Sequence, residues 1–267
     1  MAKQKGKVAI VTGSATGLGA AAAVQLADLG WNIVVNYTRS KAEAEETLAA
    51  VTAKGVEAIL VQADVGEDAD CRKLVAAATA KWGRVDGVIN NAGTTKFQQQ
   101  GDLDGVQAED FERINRVNVV GPYQLSRAVF PVMKKQWEEK GERGSIVNIS
   151  SIAGVMGVGS SIPYMCSKGA LNTLTLALAK WLAPAVRVNT VCPGFIQSRW
   201  LLGGMGEDGY AKAKAYQETS TPLRQAGTTD QMAEAAVFFL TSASNVTGEF
   251  MMVDSGMHLG GLPMRGR

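Results

Sequence analysis

The feature that most constrains this chain is a regular alternation of short apolar runs with longer segments of helical periodicity. It opens with an apolar run at 8–11, a helical pattern at 17–29, a second run at 33–36 and a second helical pattern at 41–54. The rhythm predicts further strands at 58–62, 87–90, 145–149, 186–191 and 249–253, with helices at 67–82, 108–132, 164–182 and 229–240. Successive strands separated by helices lie parallel, because a parallel pair needs a crossover connection, and the crossovers cover both faces of the sheet. The expectation is an α/β chain folded as a single domain over 1–267, with a seven-stranded, doubly wound parallel sheet. Two stretches break the rhythm. The polar run 134–144 reads as a surface extension. The Gly-, Trp- and Leu-rich stretch 197–227 is too long for an ordinary connection and reads as a substrate lid, with a helix around 210–218.

Composition narrows the chemistry. Hydrophobic residues at 46% and charged residues at 19% describe a globular chain, and no apolar segment is long enough to span a bilayer. The basic start runs directly into the first strand without a signal-peptide core, so a cytoplasmic location is expected and no membrane partner. A net charge of +2 with scattered Lys and Arg argues against nucleic acid. Cys71, Cys166 and Cys192 are odd in number and lack a CxxC pair, and the single histidine, His258, cannot build a His-rich metal shell or an evident Ser-His-Asp triad. No metal is expected, and proton chemistry must come from another residue type.

The first strand runs into Thr12-Gly13-Ser14-Ala15-Thr16-Gly17-Leu18-Gly19 and then an alanine-rich helix. Glycines allow a tight turn and close backbone approach, while the helix N-terminus offers unpaired N–H groups and partial positive charge. A pyrophosphate is therefore expected against Gly13, Ser14, Thr16, Gly17 and Leu18. The end of the second strand should meet the adenosine ribose, where a carboxylate would repel a 2′-phosphate. Here it reads Asn36-Tyr37-Thr38-Arg39-Ser40, without an acid. Tyr37, Thr38 and Arg39 are the candidate contacts, and a charge-assisted contact from Arg39 favours NADP(H), with NAD(H) as the alternative. Asp64-Val65 is placed to bracket the adenine, and Asn91, Ala92 and Gly93 to follow the ribose edge; turn chemistry accounts equally for either.

At the other end of the expected cleft, Tyr164 and Lys168 share a helix face at a spacing of four. A neighbouring ammonium favours phenolate, which would make Tyr164 a usable acid and base, and Lys168 could also hold a ribose. Ser151, after the fifth predicted strand, is placed to donate to a carbonyl oxygen, with Ser150 as its alternative. Asn118, within a predicted helix, reads either as holding a water near Lys168 or as a solvent-facing side chain. Phe97, Met156, Trp200, Leu201, Leu202 and Met205 suggest an apolar pocket wall, or plain packing.

Taken together, TGxxxGxG at 12–19, NNAG at 90–93, Asn118, Ser151, Tyr164-x-x-x-Lys168 and Pro193-Gly194 resemble the short-chain dehydrogenase/reductase family over nearly the whole chain. The interval from Ser151 to Tyr164 is similar to that of bacterial 3-oxoacyl-acyl-carrier-protein reductases, which favours Ser151 over Ser150. The resemblance implies a Rossmann fold, an Asn118-Ser151-Tyr164-Lys168 tetrad and commonly a homotetramer. It also implies that Pro193, Gly194, Phe195 and Ile196 line the nicotinamide, with Ser198 against its carboxamide. The expected activity is reduction of a ketone with NADP(H), on a 3-oxoacyl-thioester-like or other small carbonyl substrate. Oxidation of a sugar, polyol or steroid alcohol with NAD is the alternative, and a catalytically silent cofactor sensor is the reading from another class. Two departures stand out: Thr16 replaces the Arg common in fatty-acid reductases, and Val253-Asp254-Ser255-Gly256 replaces VDGG.

Overall fold

Val8–Val11 (β1) is apolar at every position and fully buried, which suits only a strand covered on both faces. A computed structural model describes residues 4–99 and 101–260 and places β1 inside a seven-stranded, all-parallel sheet. Its other strands are Asn32–Tyr37 (β2), Ala58–Gln62 (β3), Gly87–Asn90 (β4), Gly144–Ile149 (β5), Val186–Pro193 (β6) and Phe250–Val253 (β9). The order is β3-β2-β1-β4-β5-β6-β9, so the chain winds outward one way from β1 and, after β3, crosses back to β4 and winds outward the other way. The expected fold class is the observed one.

Alternation along each strand divides the core into two layers. Ala9, Val11, Ile33, Val35 and Ile89 face Gly17–Asp28 (α1), Lys41–Thr52 (α2) and Thr229–Thr241 (α9). Val8, Ile10, Val34, Val88 and Ile146 face Asp68–Trp82 (α3), Gly121–Lys140 (α5) and Ile162–Trp181 (α7). Direction reverses between β1 and β4, and that switch point opens a crevice at the strand C-termini. Thr12 and Asn91 stitch it: Thr12 Oγ1 accepts from the N–H groups of Asn91 (2.9 Å) and Ala92 (3.0 Å), and Asn91 Nδ2 donates to Thr12 O (2.9 Å).

Three expectations need correction. The polar run 134–144 is not an extension: α5 continues through Pro131 to Lys140 and stops at Gly141, which is left-handed at φ 66°. The run has an inward side, since Gln136 is buried and hydrogen-bonds both backbone groups of Val85 at 3.0 and 3.1 Å. The stretch 197–227 is more helical than expected. Arg199–Ser220 (α8) begins where Ser198 Oγ accepts from Leu201 N (3.3 Å), and it breaks at Gly206 (φ 71°, ψ 169°). Short strands Ile196–Gln197 (β7) and Gly227–Thr228 (β8) pair at its base. Finally, the helix expected over 108–132 is interrupted: Ala108–Asn115 (α4) passes through a wider π turn at Arg116–Val120 before α5. Among the described residues, no helix is long and apolar enough to cross a membrane.

Candidate active site

Three elements deliver the four candidate side chains. Ser151 leaves the end of β5, just before the short helix Ala153–Met156 (α6); Tyr164 and Lys168 lie one turn apart in α7; Asn118 comes from the π turn. A π turn shifts the helical register and so re-aims side chains, a recurring device at functional sites. Here it buries Asn118 completely, which removes the solvent-facing alternative. Its amide is clamped: Oδ1 accepts from Thr94 N (2.8 Å), and Nδ2 donates to Thr94 O (2.9 Å) and Ser167 Oγ (3.0 Å). Both amide hydrogens are thereby engaged, while Oδ1 retains acceptor capacity. Gly93 lies against both Asn118 Oδ1 and Lys168 Nζ: a Cβ there would sit 3.5 and 3.7 Å from them.

Ser151 Oγ donates to Pro193 O (3.4 Å) and accepts from Ala153 N (3.1 Å), and it stands close enough to the Tyr164 hydroxyl to influence its proton affinity. Ser150, the alternative, is buried and donates to Lys168 O (3.1 Å), so its hydroxyl works as a tether between β5 and α7. Lys168 Nζ donates to Ile149 O (2.7 Å) and stands 5.5 Å from the centroid of the Tyr164 ring. Burial is the largest influence on both groups. It pushes the Tyr164 phenol up to about 12, against the downward pull of the Ser151 hydroxyl, and pulls the Lys168 ammonium down to about 8. The expectation that the ammonium makes Tyr164 acidic is therefore not met in the protein alone: burial raises the phenol, and the Lys168 ammonium is turned to Ile149 O.

Gly154 sets the spacing between Ser151 and Tyr164. A Cβ there would overlap the backbone of Lys168 and Gly169, so α6 lies flat on α7 only because residue 154 has no side chain. Gly154→Ala is expected to lower unfolding stability by about 1–3 kcal/mol, read as a lower urea midpoint, and to reduce turnover as α6 lifts.

The nucleotide end is built from Gly13 to Leu18. Gly13 and Gly17 are left-handed (φ 61° and 63°), and Gly19 packs so tightly that a Cβ would meet Asn91 Nδ2 at 2.5 Å and Gly13 O at 2.6 Å. Thr16 and Gly17 are exposed, whereas Leu18 is buried and Ser14 is wholly so, with its N–H on Asn36 O (3.0 Å). Ser14 Oγ donates to Val11 O (2.7 Å) and accepts from Asn36 N (2.9 Å). Asn36, given no role from sequence, fixes the turn: Oδ1 accepts from Gly13 N (2.9 Å) and Nδ2 donates to Ala63 O (3.0 Å). The N-terminus of α1 has neither a side-chain cap nor an acid in its first turn, and space above Gly17 is open. Uncapped N–H groups beside open space suit a phosphate.

Around this turn, Tyr37 is half-buried, while Thr38 and Arg39 are exposed at the end of β2. Among the described residues Arg39 forms no ion pair. Asp64 is exposed and binds Gly66 N (2.9 Å), and Val65 is buried. Asn91 and Ala92 are half-buried, and Gly93 is exposed above the tetrad. On the far wall, Pro193 is buried at the end of β6, with Gly194, Phe195, Ile196 and Ser198 half-buried after it. Gly194 fits because a Cβ would meet Asp254 Cβ at 2.7 Å. Phe195 packs on Tyr210 of α8 (5.4 Å), and the Ser198 hydroxyl is engaged as the α8 cap. Thr12, Asn36, Thr94 and Ser167 were missed as site-building residues. Periodicity carries no signal for them, because each acts through a hydrogen bond to a residue distant in sequence.

Comparison with known proteins agrees with this arrangement. The family model described as enoyl-(acyl carrier protein) reductase matches residues 13–258. A Streptomyces violaceoruber protein of the granaticin polyketide synthase, provisionally named ketoacyl reductase 2, is 40% identical over 94% of this chain and 96% of its own. The 3-oxoacyl-[acyl-carrier-protein] reductase of Synechocystis is 34% identical over 94% of this chain and 96% of its own. Among solved structures, a Burkholderia xenovorans protein provisionally assigned as a short-chain dehydrogenase/reductase superposes with a TM-score of 0.86 at 36% identity, over 97% of this chain and 100% of its own. The chain belongs to the short-chain dehydrogenase/reductase family, oxidoreductases that interconvert CH–OH and carbonyl groups with NAD(P).

Proposed function

We propose that the chain is a ketoreductase that uses NADPH to convert a ketone, 3-oxoacyl-thioester-like or another small carbonyl compound, into a secondary alcohol. The observation that carries this reading is Ser151 beside the Tyr164 hydroxyl, with Lys168 one turn on along the same helix face, next to an uncapped helix N-terminus. A nicotinamide dinucleotide held there supplies the hydride. Gly13, Thr16, Gly17 and Leu18 hold its pyrophosphate on the turn that buried Ser14 fixes, and Tyr37, Thr38 and Arg39 its adenosine end. Asp64 and Val65 flank the adenine, Asn91, Ala92 and Gly93 the ribose edge, and Pro193, Gly194, Phe195, Ile196 and Ser198 the nicotinamide.

Ser151 and Tyr164 both direct an O–H at the substrate oxygen, polarising the carbonyl and stabilising negative charge as it develops. Tyr164 then donates its proton to that oxygen. Lys168 retains N–H donors beyond the one engaged by Ile149 O, and these serve a ribose and the refilling of the phenol. Asn118 Oδ1, near Lys168 Nζ, holds a water that carries the replacement proton from solvent. A phenol that keeps its proton up to about 12 starts as an acid, the form that ketone reduction requires. The stretch 197–227 serves as the substrate lid of the single domain. Cytoplasmic residence and a homotetramer complete the proposal, supported by family resemblance.

The test is a panel of ketones and alcohols, including β-ketoacyl thioesters and sugars, followed at the nicotinamide absorbance with NADPH and with NADH. Wild type is expected to reduce ketones with a clear NADPH preference. Arg39→Ala is expected to raise the KM for NADPH by roughly 10- to 100-fold while the NADH value moves far less, the size of a lost charge-assisted phosphate contact. Preference of the wild type for NADH would remove the cofactor assignment, and cofactor binding without turnover of any substrate would remove the enzymatic one.

A further inference from the structure

The tetrad accounts for the reacting oxygen but not for the side chains that face the rest of a substrate. Trp200, in the first turn of α8, leans over the cleft with its ring 6.1 Å from that of Tyr164 at an interplanar angle of 51°. On its other side it meets Phe97, from the segment after β4, edge-to-face at 5.8 Å and 62°. Phe97 is fixed in turn by α8 itself, since a Cβ on Gly204 would fall inside the Phe97 ring. Three rings from three separate chain segments thus converge beside the proton donor, and the middle one keeps 48% of its surface exposed.

The surroundings are apolar and uncovered. Met156 from α6, and Leu202 and Met205 from α8, are all exposed at 37–40%. The neighbouring cations already have partners: Lys96 Nζ is 2.7 Å from Asp110, and Arg199 is 3.5 Å from Glu43. An exposed apolar cleft with its nearby charges paired selects neutral, apolar ligands. The ring geometry narrows the class further. Aromatic faces and edges set at 51° and 62° favour offset or edge-to-face contact with another flat ring, and a rigid ring loses little conformational freedom on binding, unlike an alkyl chain.

We propose that Trp200, supported by Phe97, is the specificity-determining residue of this site and selects ketones whose carbonyl is part of, or attached to, a flat apolar ring system. This rests on the ketoreductase reading above and names its substrate class. The substrate oxygen sits at Ser151 and Tyr164, and its ring lies against the Trp200 face under α8.

The experiment compares kcat and KM, with NADPH, for 1-tetralone and for the open-chain ketone 2-decanone, which has the same number of carbons. Wild type, Trp200→Ala, Trp200→Phe and Tyr164→Phe are measured side by side. Wild type is expected to favour 1-tetralone in kcat/KM. Trp200→Ala is expected to shrink that preference on the order of 10- to 100-fold, chiefly through KM for the ring ketone, and Trp200→Phe to restore most of it. Equal use of the two ketones by wild type, or an equal loss on both in Trp200→Ala, overturns the assignment while leaving the ketoreductase reading intact. Absence of turnover on either ketone and on the wider panel overturns the reading beneath it, and Tyr164→Phe marks the background rate against which both are judged.

Discussion

Tyr164→Phe is expected to lower kcat for ketone reduction by about 10²- to 10⁴-fold with little change in KM, the range for losing a positioned general acid. The ring stays, so packing against Trp200 is kept and only the O–H is lost. Single-turnover reduction followed at the nicotinamide absorbance measures it, and a variant retaining more than a tenth of the wild-type rate would sink the assignment. The pH profile is a second readout. Because burial holds the Tyr164 proton up to about 12, the reductive rate should not fall through loss of that proton anywhere in the neutral range. In the oxidative direction the same phenol must first give up its proton, so that rate should climb steadily on the alkaline side.

Lys168→Met is expected to abolish most activity and yet stabilise the fold. Lys168 is only 4% exposed, and burial pulls its ammonium down to about 8 from 10.5. The folded protein therefore carries a charge it would rather not hold, a penalty present in full below about pH 8. Between about 8 and 10.5 the folded state sheds that proton while the unfolded chain keeps it, so wild-type stability rises with pH through this window. The gain of Lys168→Met over wild type should accordingly be largest near pH 7, on the order of 1–3 kcal/mol after loss of the bond to Ile149 O, and should vanish towards pH 10. Urea melts of both proteins at pH 7 and pH 10 check this. A variant less stable than wild type at pH 7, or a gap that widens with pH, would show that the buried ammonium is not the strained element. Holding a charge against its own desolvation is the kind of cost an active site tolerates for function.

Much of the site was legible because its chemistry depends on residue types at short spacing. Tyr164 and Lys168 had to share a helix face wherever that helix lay, and Gly13, Gly17 and Gly19 had to form a turn where side chains were intolerable. Asn118 was legible as a residue but not as a geometry. One wider turn at Arg116–Val120 decides whether it faces water or Thr94 and Ser167, and that turn leaves no mark on apolar periodicity. The run 134–144 misled for a related reason: the buried position of its helical part, Gln136, is polar and satisfied by the backbone of Val85.

The sequence by itself determined the order of elements, the doubly wound parallel sheet and the residue types offered to the site, because period and spacing act locally along the chain; the strand order and its switch point between β1 and β4 came with the fold. Tertiary structure alone decided how acidic those residues are and what covers them. Whether Tyr164 feels an ammonium or a dry interior, and whether Trp200 rests on Phe97 or on solvent, depends on desolvation and on contact between segments remote in sequence, and both exist only once the chain has folded.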